Sequence, residues 1–359
     1  MERQGTAGDS LSAREDGLLL KAEVEALRAS WLMTAPNPRV GALALKDGHI
    51  VGRGRHERLG GMHAEEAALR DAGAWPADSP EPNPGHVDEI VVTLEPCSAK
   101  DPEKRRNPCV ESLLAAGVER LLVGALDPDA RHQGSGLMAM EEGGAQVRLS
   151  PDPSPFFAMN GAFSRSLANP DRPWILLKWA ASLDGKVASP PGGPRWISGP
   201  ESRDEVHEIR ALSDGILIGK GTLEADDPFL NARPASGPRP EQPTRIFVGG
   251  GESLAPEAHA LEKAGPRIWV LEPDGGLPPW MAENLKSGED HVLEIPRTSD
   301  GFDLGILLSR LRKEFSLRRI LVEGGPGIHG SFLREECVDA VLIYTAPILL
   351  GGRESAFPA

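Results

Sequence analysis

Three residues in the first half of the chain carry side chains that bind zinc readily. His63 supplies an imidazole, and Cys97 and Cys109 supply two thiolates. A catalytic zinc site has three protein ligands and an open fourth position for water, whereas a structural site closes that position with a fourth ligand. Glu65 lies just past the histidine, too close along the chain to bind the same ion comfortably. The pattern therefore predicts a catalytic zinc site with Glu65 as its proton carrier.

The chemistry that fits these residues is the hydrolytic removal of an amino group from a base. Bound zinc lowers the pKa of its water to about 7 and so supplies hydroxide at neutral pH. Glu65 could take the proton of that water and return it to the ring nitrogen and the departing amine. The order His-x-Glu, Pro-Cys, Cys is typical of zinc-dependent base deaminases, although 11 residues here separate two cysteines that are usually closer.

Each of these residues also has a purely structural interpretation. A histidine at a helix start is usually a polar cap, and free cysteines are commonly small buried apolar groups. A structural zinc module would need a fourth ligand, for which His56 and His86 are conceivable candidates. The combination of His63 and Glu65 with the two cysteines favours the catalytic site.

Candidate binding residues also occur in the second half of the chain. The turn Gly324-Gly325-Pro326-Gly327 follows a predicted strand. Such a turn lets the backbone approach a diphosphate closely and present N–H groups to it at a helix N-terminus. Arg210 and Arg233 could pair with a substrate phosphate. Taken alone, glycine-rich turns are mostly only turns, isolated arginines are usually solvated, and Cys337 is expected to be buried packing.

The composition indicates a soluble globular protein with an excess of acidic groups. The chain has 359 residues, of which 40% are hydrophobic and 26% charged, and a net charge of −14. This balance argues against a general binder of nucleic acids or membrane surfaces. Three cysteines do not suggest a secreted disulfide framework, the N-terminus does not resemble a signal peptide, and no run approaches the ~20 apolar residues of a membrane span. We therefore expect a cytoplasmic protein.

Local patterns predict the elements that position the zinc ligands. We expect an amphipathic helix at 16–31, strands at 40–45 and 49–54 around the turn Asp47-Gly48, and a helix at 62–71. A buried strand at 89–94 should end in Glu95-Pro96-Cys97, a helix should begin at Cys109, and a strand should follow at 119–125. Helices that alternate with mostly parallel strands predict a layered α/β domain.

The second half shows the same alternation after a break. Prolines at 151–155 and 169–173 mark the break, with a short helix expected between them. Strands are expected at 174–179, 215–218, 244–248, 267–271 and 319–322, and helices at 202–212 and 305–315. The segment Asp226-Asp227-Pro228 is expected to end a helix. The chain length favours two or three domains.

Spaced motifs in both halves resemble one known family. Those in the first half are Asn37-Pro-x-Val40-Gly41, His63-Ala-Glu65, Thr93-Leu-Glu-Pro-Cys97 and Asp127-Pro. Those in the second half are Leu177-Lys-x-Ala-Ala-Ser-Leu-Asp-Gly185, Trp196-Ile-Ser, Arg210-Ala, Gly221-Thr222, Asp226-Asp-Pro-x-Leu230 and Val322-Glu-Gly-Gly-Pro326. Over about residues 16–355 they resemble the bifunctional deaminase/reductases of riboflavin biosynthesis.

The resemblance implies a fold and a domain order. A flexible N-terminus (1–15) would precede a cytidine-deaminase-like, three-layer α/β zinc domain (16–150). A connector (151–172) would lead to a dihydrofolate-reductase-like α/β domain (173–359) that uses NADPH. The family usually continues into a further strand beyond Gly351, so we expect the chain to be either naturally short or truncated at its C-terminus.

The resemblance also implies two reactions and the residues that perform them. The first domain would deaminate a phosphoribosylated diaminopyrimidine, and the second would reduce its ribosyl unit to ribityl with NADPH. Zinc would be bound by His63, Cys97 and Cys109, with Glu65 as proton carrier. The residues implied at the NADPH site are Ala181, Trp196, Thr222, Asp226, Gly325, Pro326, Gly327, Ile328, His329, Gly330 and Ser331. Those implied at the substrate sites are Asn37, Arg105, Arg210, Leu230, Arg233 and Glu323. The implied partners are this small molecule and further copies of the chain, in a homo-oligomer, with neither nucleic acid nor membrane.

The loop between the two zinc cysteines departs from the family pattern. Residues 98–106 form a longer segment without the usual histidines, although Arg105 falls where the family has a basic residue. Pro194 and Gly250 stand where the family commonly has serines. A reductase with a degenerate deaminase domain is therefore an alternative. A nucleic-acid-editing zinc deaminase is a further alternative, which the acidic composition disfavours.

Overall fold

The chain divides into two compact units, Met1–Ala168 and Asn169–Ala359. The computed structural model describes residues 11–98, 107–129, 133–188, 196–235, 237, 241–249, 258–262, 265–273, 281, 290–299 and 301–351. Within these residues no helix combines the length and the apolar character needed to cross a membrane.

The first unit contains a five-stranded sheet between layers of helices. Its strands are β1 (Gly41–Lys46), β2 (His49–Arg55), β3 (Glu89–Val92), β4 (Arg120–Val123) and β5 (Gln146–Leu149), in the order β2-β1-β3-β4-β5. β1 pairs antiparallel with β2 and β3, whereas β3, β4 and β5 are parallel. Its helices are α1 (Ala13–Arg28), α2 (Trp31–Thr34), α3 (Ala64–Asp71), α4 (Cys109–Ala115), α5 (Ser135–Glu142), α6 (Ser154–Ala158) and α7 (Gly161–Ala168).

Alternating side chains of the strands fill a core on each face of this sheet. Ala42 and Ala44 belong to the core beneath α3 and α4, whereas Leu43 and Leu45 belong to the core beneath α1. This alternation follows from the two-residue period of a strand. The predicted three-layer α/β arrangement is confirmed.

Two glycines of β2 let α3 lie directly against the sheet. A Cβ atom at Gly52 would lie 2.3 Å from the carbonyl oxygen of Ala68, and one at Gly54 would lie 2.1 Å from that of Ala64. Any larger residue would therefore push the helix away. This close packing sets the position of the start of α3, next to which His63 lies.

Several predicted boundaries in the first unit were wrong. The first helix begins at Ala13 and ends at Arg28, because Ser12 and Glu15 form a capping box at its start, and Trp31 opens a separate short helix. β3 ends at Val92, so Cys97 lies in the following loop and does not end a strand. Two helices, α6 and α7, stand where one was expected.

The second unit contains a seven-stranded sheet whose neighbouring strands are all parallel. The strands are β6 (Trp174–Ser182), β7 (Gly215–Gly219), β8 (Thr244–Val248), β9 (Arg267–Leu271), β10 (Asp290–Glu294), β13 (Arg319–Val322) and β14 (Ala340–Ala346), in the order β10-β9-β8-β7-β13-β6-β14. A separate small hairpin comprises β11 (Arg297–Thr298) and β12 (Gly301–Phe302). The helices are α8 (Pro200–Ala211), α9 (Lys220–Asp226), α10 (Leu304–Phe315) and α11 (Pro326–Arg334), and His259–Leu261 forms a 3-10 turn.

The predicted strands of the second unit are present, and three of them have the expected bounds. These are β8, β9 and β13, which are continuous buried runs. The prediction missed β10 and the edge strand β14, where Val341 and Ile343 are exposed and alternate with less exposed residues. Because β13 lies between β6 and β7, the carboxyl ends of these three strands are neighbours. In parallel sheets this edge is where ligands bind.

Candidate active sites

Two helix starts and one loop bring the predicted zinc ligands of the first unit together. His63 is the residue that precedes α3, and Cys109 is the first residue of α4. Cys97 lies in the loop after β3, and its sulfur accepts a hydrogen bond of 3.3 Å from the backbone N–H of Cys109. The N–H groups at a helix start favour thiolate over thiol, because they stabilise negative charge.

The three ligand atoms are close enough to bind one ion. Nδ1 of His63 lies 3.1 Å from Sγ of Cys109 and 3.6 Å from Sγ of Cys97, and all three atoms lie within 4.8 Å of one another. Tetrahedral zinc with ordinary bonds to nitrogen and sulfur would separate these atoms by about 3.5 Å. Among the described residues, this trio is the one group of histidine, cysteine and acidic side chains that meets the geometric requirement for a metal. The nitrogen and two sulfurs therefore fit zinc, and Nδ1 is the ring atom that faces the ion.

Glu65 lies on the first turn of α3 and is buried beside the same cluster. Burial raises the pKa of Glu65, and the neighbouring side chain of Cys109 partly opposes this shift. The hydrogen bond from Cys109 lowers the pKa of Cys97 to about 4, with a further contribution from His63. The arrangement thus places a carboxylate against a metal site of three soft ligands.

The candidates for a fourth zinc ligand lie outside this cluster. The ring of His56 meets the ring of His63 edge-on at 5.7 Å, and Nδ1 of His56 lies 2.8 Å from the carbonyl oxygen of Met62. His86 is exposed on the surface. Within the part of the chain that the structure describes, three protein ligands are therefore brought together, as a catalytic site requires.

Of the two predicted substrate residues of the first unit, the structure describes Asn37. Asn37 is half-buried in the turn after α2, where its backbone N–H donates to the carbonyl oxygen of Thr34 at 2.9 Å. Arg105 and its basic neighbours lie outside the described residues.

Glu95 is a buried residue of this site to which the sequence analysis gave no role. Its carboxylate accepts backbone N–H bonds from Asp127, Gly134 and Gly136 at 3.0, 2.9 and 2.7 Å. The sequence offers one signal, an acidic residue directly before Pro96-Cys97 in a segment that is otherwise apolar. The partners that reveal its role lie more than thirty positions away along the chain.

A buried ion cluster lies beside the carboxyl end of β13 in the second unit. Arg210 of α8 donates to both oxygens of Glu323, from Nε at 2.6 Å and from Nη2 at 3.0 Å. Nζ of Lys178 lies 3.6 Å from Oε2 of the same carboxylate. Although burial alone would raise it, the cations Arg210 and Lys178 hold the pKa of Glu323 at about 2. Arg210 therefore pairs with a carboxylate in this structure, and its predicted contact with a substrate phosphate stays a prediction.

The predicted glycine-rich turn leads into the N-terminus of α11, as expected. Gly325 is the N-cap, and a Cβ atom there would lie 3.1 Å from Oγ1 of Thr222. A Cβ atom at Gly324 would lie 2.2 Å from the side chain of Ile328. The structure thus brings the turn and the start of α9 together, in a form that leaves the backbone at 325–327 accessible.

The remaining predicted residues of the second unit are more dispersed. Pro326 and Ile328 are half-buried and Gly327 is exposed, whereas His329, Gly330 and Ser331 lie on the buried side of α11. Ala181 is buried in β6, and Leu230 is buried with a positive φ of 51°. Trp196 is exposed with the Arg203 guanidinium 5.3 Å from its ring centre, Asp226 is exposed at the end of α9, and Arg233 contacts His207.

Comparisons with known proteins match both units. The model described as the cytidine and deoxycytidylate deaminase zinc-binding region matches residues 14–125, and the RibD C-terminal domain model matches residues 173–359. The riboflavin biosynthesis protein RibD of Escherichia coli K12 is 35% identical over 330 residues, which cover 89% of this chain and 84% of that protein. RibD of Aquifex aeolicus is 34% identical over 319 residues, which cover 89% and 83%.

Solved structures give the same result. RibD of Acinetobacter baumannii aligns with a TM-score of 0.68 and 29% identity over 96% of this chain and 90% of that one. The Thermotoga maritima protein described as a diaminohydroxyphosphoribosylaminopyrimidine deaminase/5-amino-6-(5-phosphoribosylamino)uracil reductase aligns with a TM-score of 0.66 and 25% identity over the same shares.

Fold and sites together define a bifunctional enzyme, with a cytidine-deaminase-like zinc domain followed by an NADPH-dependent reductase domain. The predicted fold class and cofactors are thereby confirmed. The chain belongs to the RibD family of riboflavin biosynthesis proteins.

Proposed function

We propose that this chain performs two successive reactions of riboflavin biosynthesis on one phosphorylated pyrimidine. The first unit hydrolyses an amino group of a phosphoribosylated diaminopyrimidine, and the second reduces the ribosyl unit of the product to ribityl with NADPH. The observation that carries the first step is the convergence of His63, Cys97 and Cys109 on one point beside the buried Glu65. The names of the RibD relatives support both steps.

In the proposed deamination, three residues hold zinc and a fourth moves protons. His63 through Nδ1 and the two cysteine sulfurs are the ligands. Zinc, when bound, supplies a hydroxide at neutral pH through the lowered pKa of its water. Glu65 accepts one proton from the attacking water and delivers it to the ring nitrogen, and it then transfers the second proton of that water to the amine, which leaves as ammonia. Its burial beside Cys109 supports this role, because a proton carrier must be within hydrogen-bond reach of the reacting atoms.

In the proposed reduction, the turn before α11 binds the cofactor and the ion cluster binds the substrate. Backbone N–H groups at the start of α11 and the hydroxyl of Thr222 are suited to the diphosphate of NADPH, because a helix N-terminus attracts anions. NADPH, when bound, supplies the hydride. Glu323 is held ionised by Arg210 and Lys178, so its carboxylate can accept hydrogen bonds from hydroxyl groups of the sugar.

One coupled assay tests the proposal. Purified protein should contain about one zinc per chain, release ammonia from the diaminopyrimidine phosphate and then oxidise NADPH. Bound zinc without ammonia release would leave the alternative of a reductase with a degenerate deaminase domain. Binding of single-stranded DNA or structured RNA at low salt would instead favour a nucleic-acid-editing deaminase, which uses the same zinc chemistry.

A further inference from the structure

The carboxylate of Glu95 is buried and fully engaged by backbone groups. Oε2 accepts the N–H of Asp127 and that of Gly134, and Oε1 accepts the N–H of Gly136. Only 6% of the residue is exposed. An unpaired carboxylate in such a position would be strongly destabilising, whereas charge-assisted hydrogen bonds to N–H groups offset the loss of water. The three bonds thus tie Glu95 to Asp127, Gly134 and Gly136.

Other contacts tie the same two parts of the chain together on both sides of Cys97. The N–H of Glu95 donates to the carbonyl oxygen of Ala125 at 2.9 Å. After Cys97, the hydroxyl of Ser98 lies 2.6 Å from that of Ser135. At the start of α5, a Cβ atom on Gly136 would lie only 2.1 Å from the carbonyl oxygen of Pro96. The turn that presents Cys97 therefore packs against the start of α5.

We infer that Glu95 is a positioning residue of the zinc site, which holds the Cys97 turn so that its sulfur meets Nδ1 of His63. Glu95 does not bind the metal, because both of its oxygens face the backbone N–H groups of another segment. Its loss should allow the turn to shift and so weaken or distort metal binding. This inference rests on the proposed zinc site and on no part of the reductase proposal.

The Glu95→Gln variant is the first test. The amide keeps one oxygen acceptor but turns an NH₂ group toward backbone N–H, so at least one of the three bonds is lost. Groups that orient metal ligands typically change metal affinity by about 10–100-fold. We expect a zinc Kd raised by that amount, measured by chelator competition, and a shifted visible spectrum of the Co²⁺-substituted protein. Glu25→Gln is the matched control, because Glu25 is another buried glutamate of the same unit and pairs with Arg28, Arg53 and Arg55.

A second variant keeps the inference testable if Glu95→Gln does not fold. Ser135→Ala removes the hydroxyl that contacts Ser98, and we expect it to raise the zinc Kd less than Glu95→Gln while the protein remains folded. If Glu95→Gln folds, the inference is overturned when its zinc Kd and Co²⁺ spectrum equal those of Glu25→Gln. If Glu95→Gln does not fold, the inference is overturned when Ser135→Ala leaves the zinc Kd unchanged.

The same measurements separate this inference from the proposed function. Wild-type protein that binds zinc but releases no ammonia would refute the proposed deamination. The zinc Kd values of the variants would still decide whether Glu95 positions the zinc site. Wild-type protein that binds no zinc would refute both.

Discussion

The imidazole of His63 and the sulfur of Cys109 face each other at the starts of two helices, with 3.1 Å between Nδ1 and Sγ. Both helices pack on the same face of the five-stranded sheet, and their cores are continuous. Two of the three predicted metal ligands are therefore placed by helices on one face of the sheet, and the third, Cys97, lies in the loop after β3.

The Glu65→Gln variant should abolish ammonia release while it retains zinc. The amide cannot accept and deliver the proton, and general acid–base groups typically contribute about 10²–10⁴-fold to rate. Zinc content and ammonia release are the measurements. NADPH oxidation with an already deaminated substrate is the internal control and should be unchanged. An equal loss of both activities would contradict the assignment of two separate sites.

The Cys97→Ser variant should lose zinc and destabilise the first unit. A weaker ligand replaces the thiolate, and the free energy of metal binding otherwise adds to that of folding. Cys337→Ser is the matched control, because that thiol lies in the second unit against its hydrophobic core. The control should keep its full zinc content. Retention of one zinc by Cys97→Ser would show that another residue completes the site.

The stability of the second unit should depend on His329 between about pH 6.5 and pH 4. Burial lowers the pKa of His329 to about 4. As the pH falls below the ordinary value of about 6.5, the unfolded chain binds a proton that the folded chain does not, so the free energy of unfolding decreases until the folded pKa is reached. The decrease attributable to this histidine is roughly 3 kcal/mol at most.

The His329→Leu variant should lack this decrease in the free energy of unfolding on acidification, because leucine does not titrate. Chemical denaturation at pH 7 and at pH 4.5 gives the free energy of unfolding of the wild type and of the variant at each pH. We expect the variant to lose less stability than the wild type on acidification. Parallel losses in the two proteins would show that His329 titrates normally.

Tyr344 should ionise well above its ordinary pKa in the folded protein. Burial raises the pKa of Tyr344, and its hydrogen bond of 2.8 Å to Glu205 raises it further. The chain contains a single tyrosine, so the tyrosinate absorbance reports this residue alone. Glu205→Gln should move the absorbance midpoint to lower pH. A wild-type midpoint near the ordinary value of about 10 would contradict the burial of Tyr344 and its hydrogen bond to Glu205.

Sequence reasoning could predict features that depend on local pattern or on rare side chains. β8, β9 and β13 are uninterrupted apolar runs, because both faces of a parallel sheet are covered, and their bounds were predicted correctly. The clustering of His63, Cys97 and Cys109 could also be predicted, because a histidine and two cysteines in this order are typical of a zinc site.

Features that depend on distant pairing could not be predicted. The bonds that Glu95 accepts from Asp127, Gly134 and Gly136 follow from the fold and not from any local spacing. The same holds for the pairing of Arg210 with a carboxylate 113 positions later. The edge strand β14 was missed because one of its faces is exposed, which weakens the apolar signal of a buried strand.

X-ray absorption at the zinc edge of the loaded protein tests the central claim most directly. Ordinary bonds predict two sulfur atoms at about 2.3 Å and two nitrogen or oxygen atoms at about 2.0–2.1 Å, one from His63 and one from water. The Cys97→Ser, Cys109→Ser double variant should retain no zinc and therefore give no zinc-edge signal. A wild-type spectrum without two sulfur ligands, or with a second imidazole in place of water, would contradict the account.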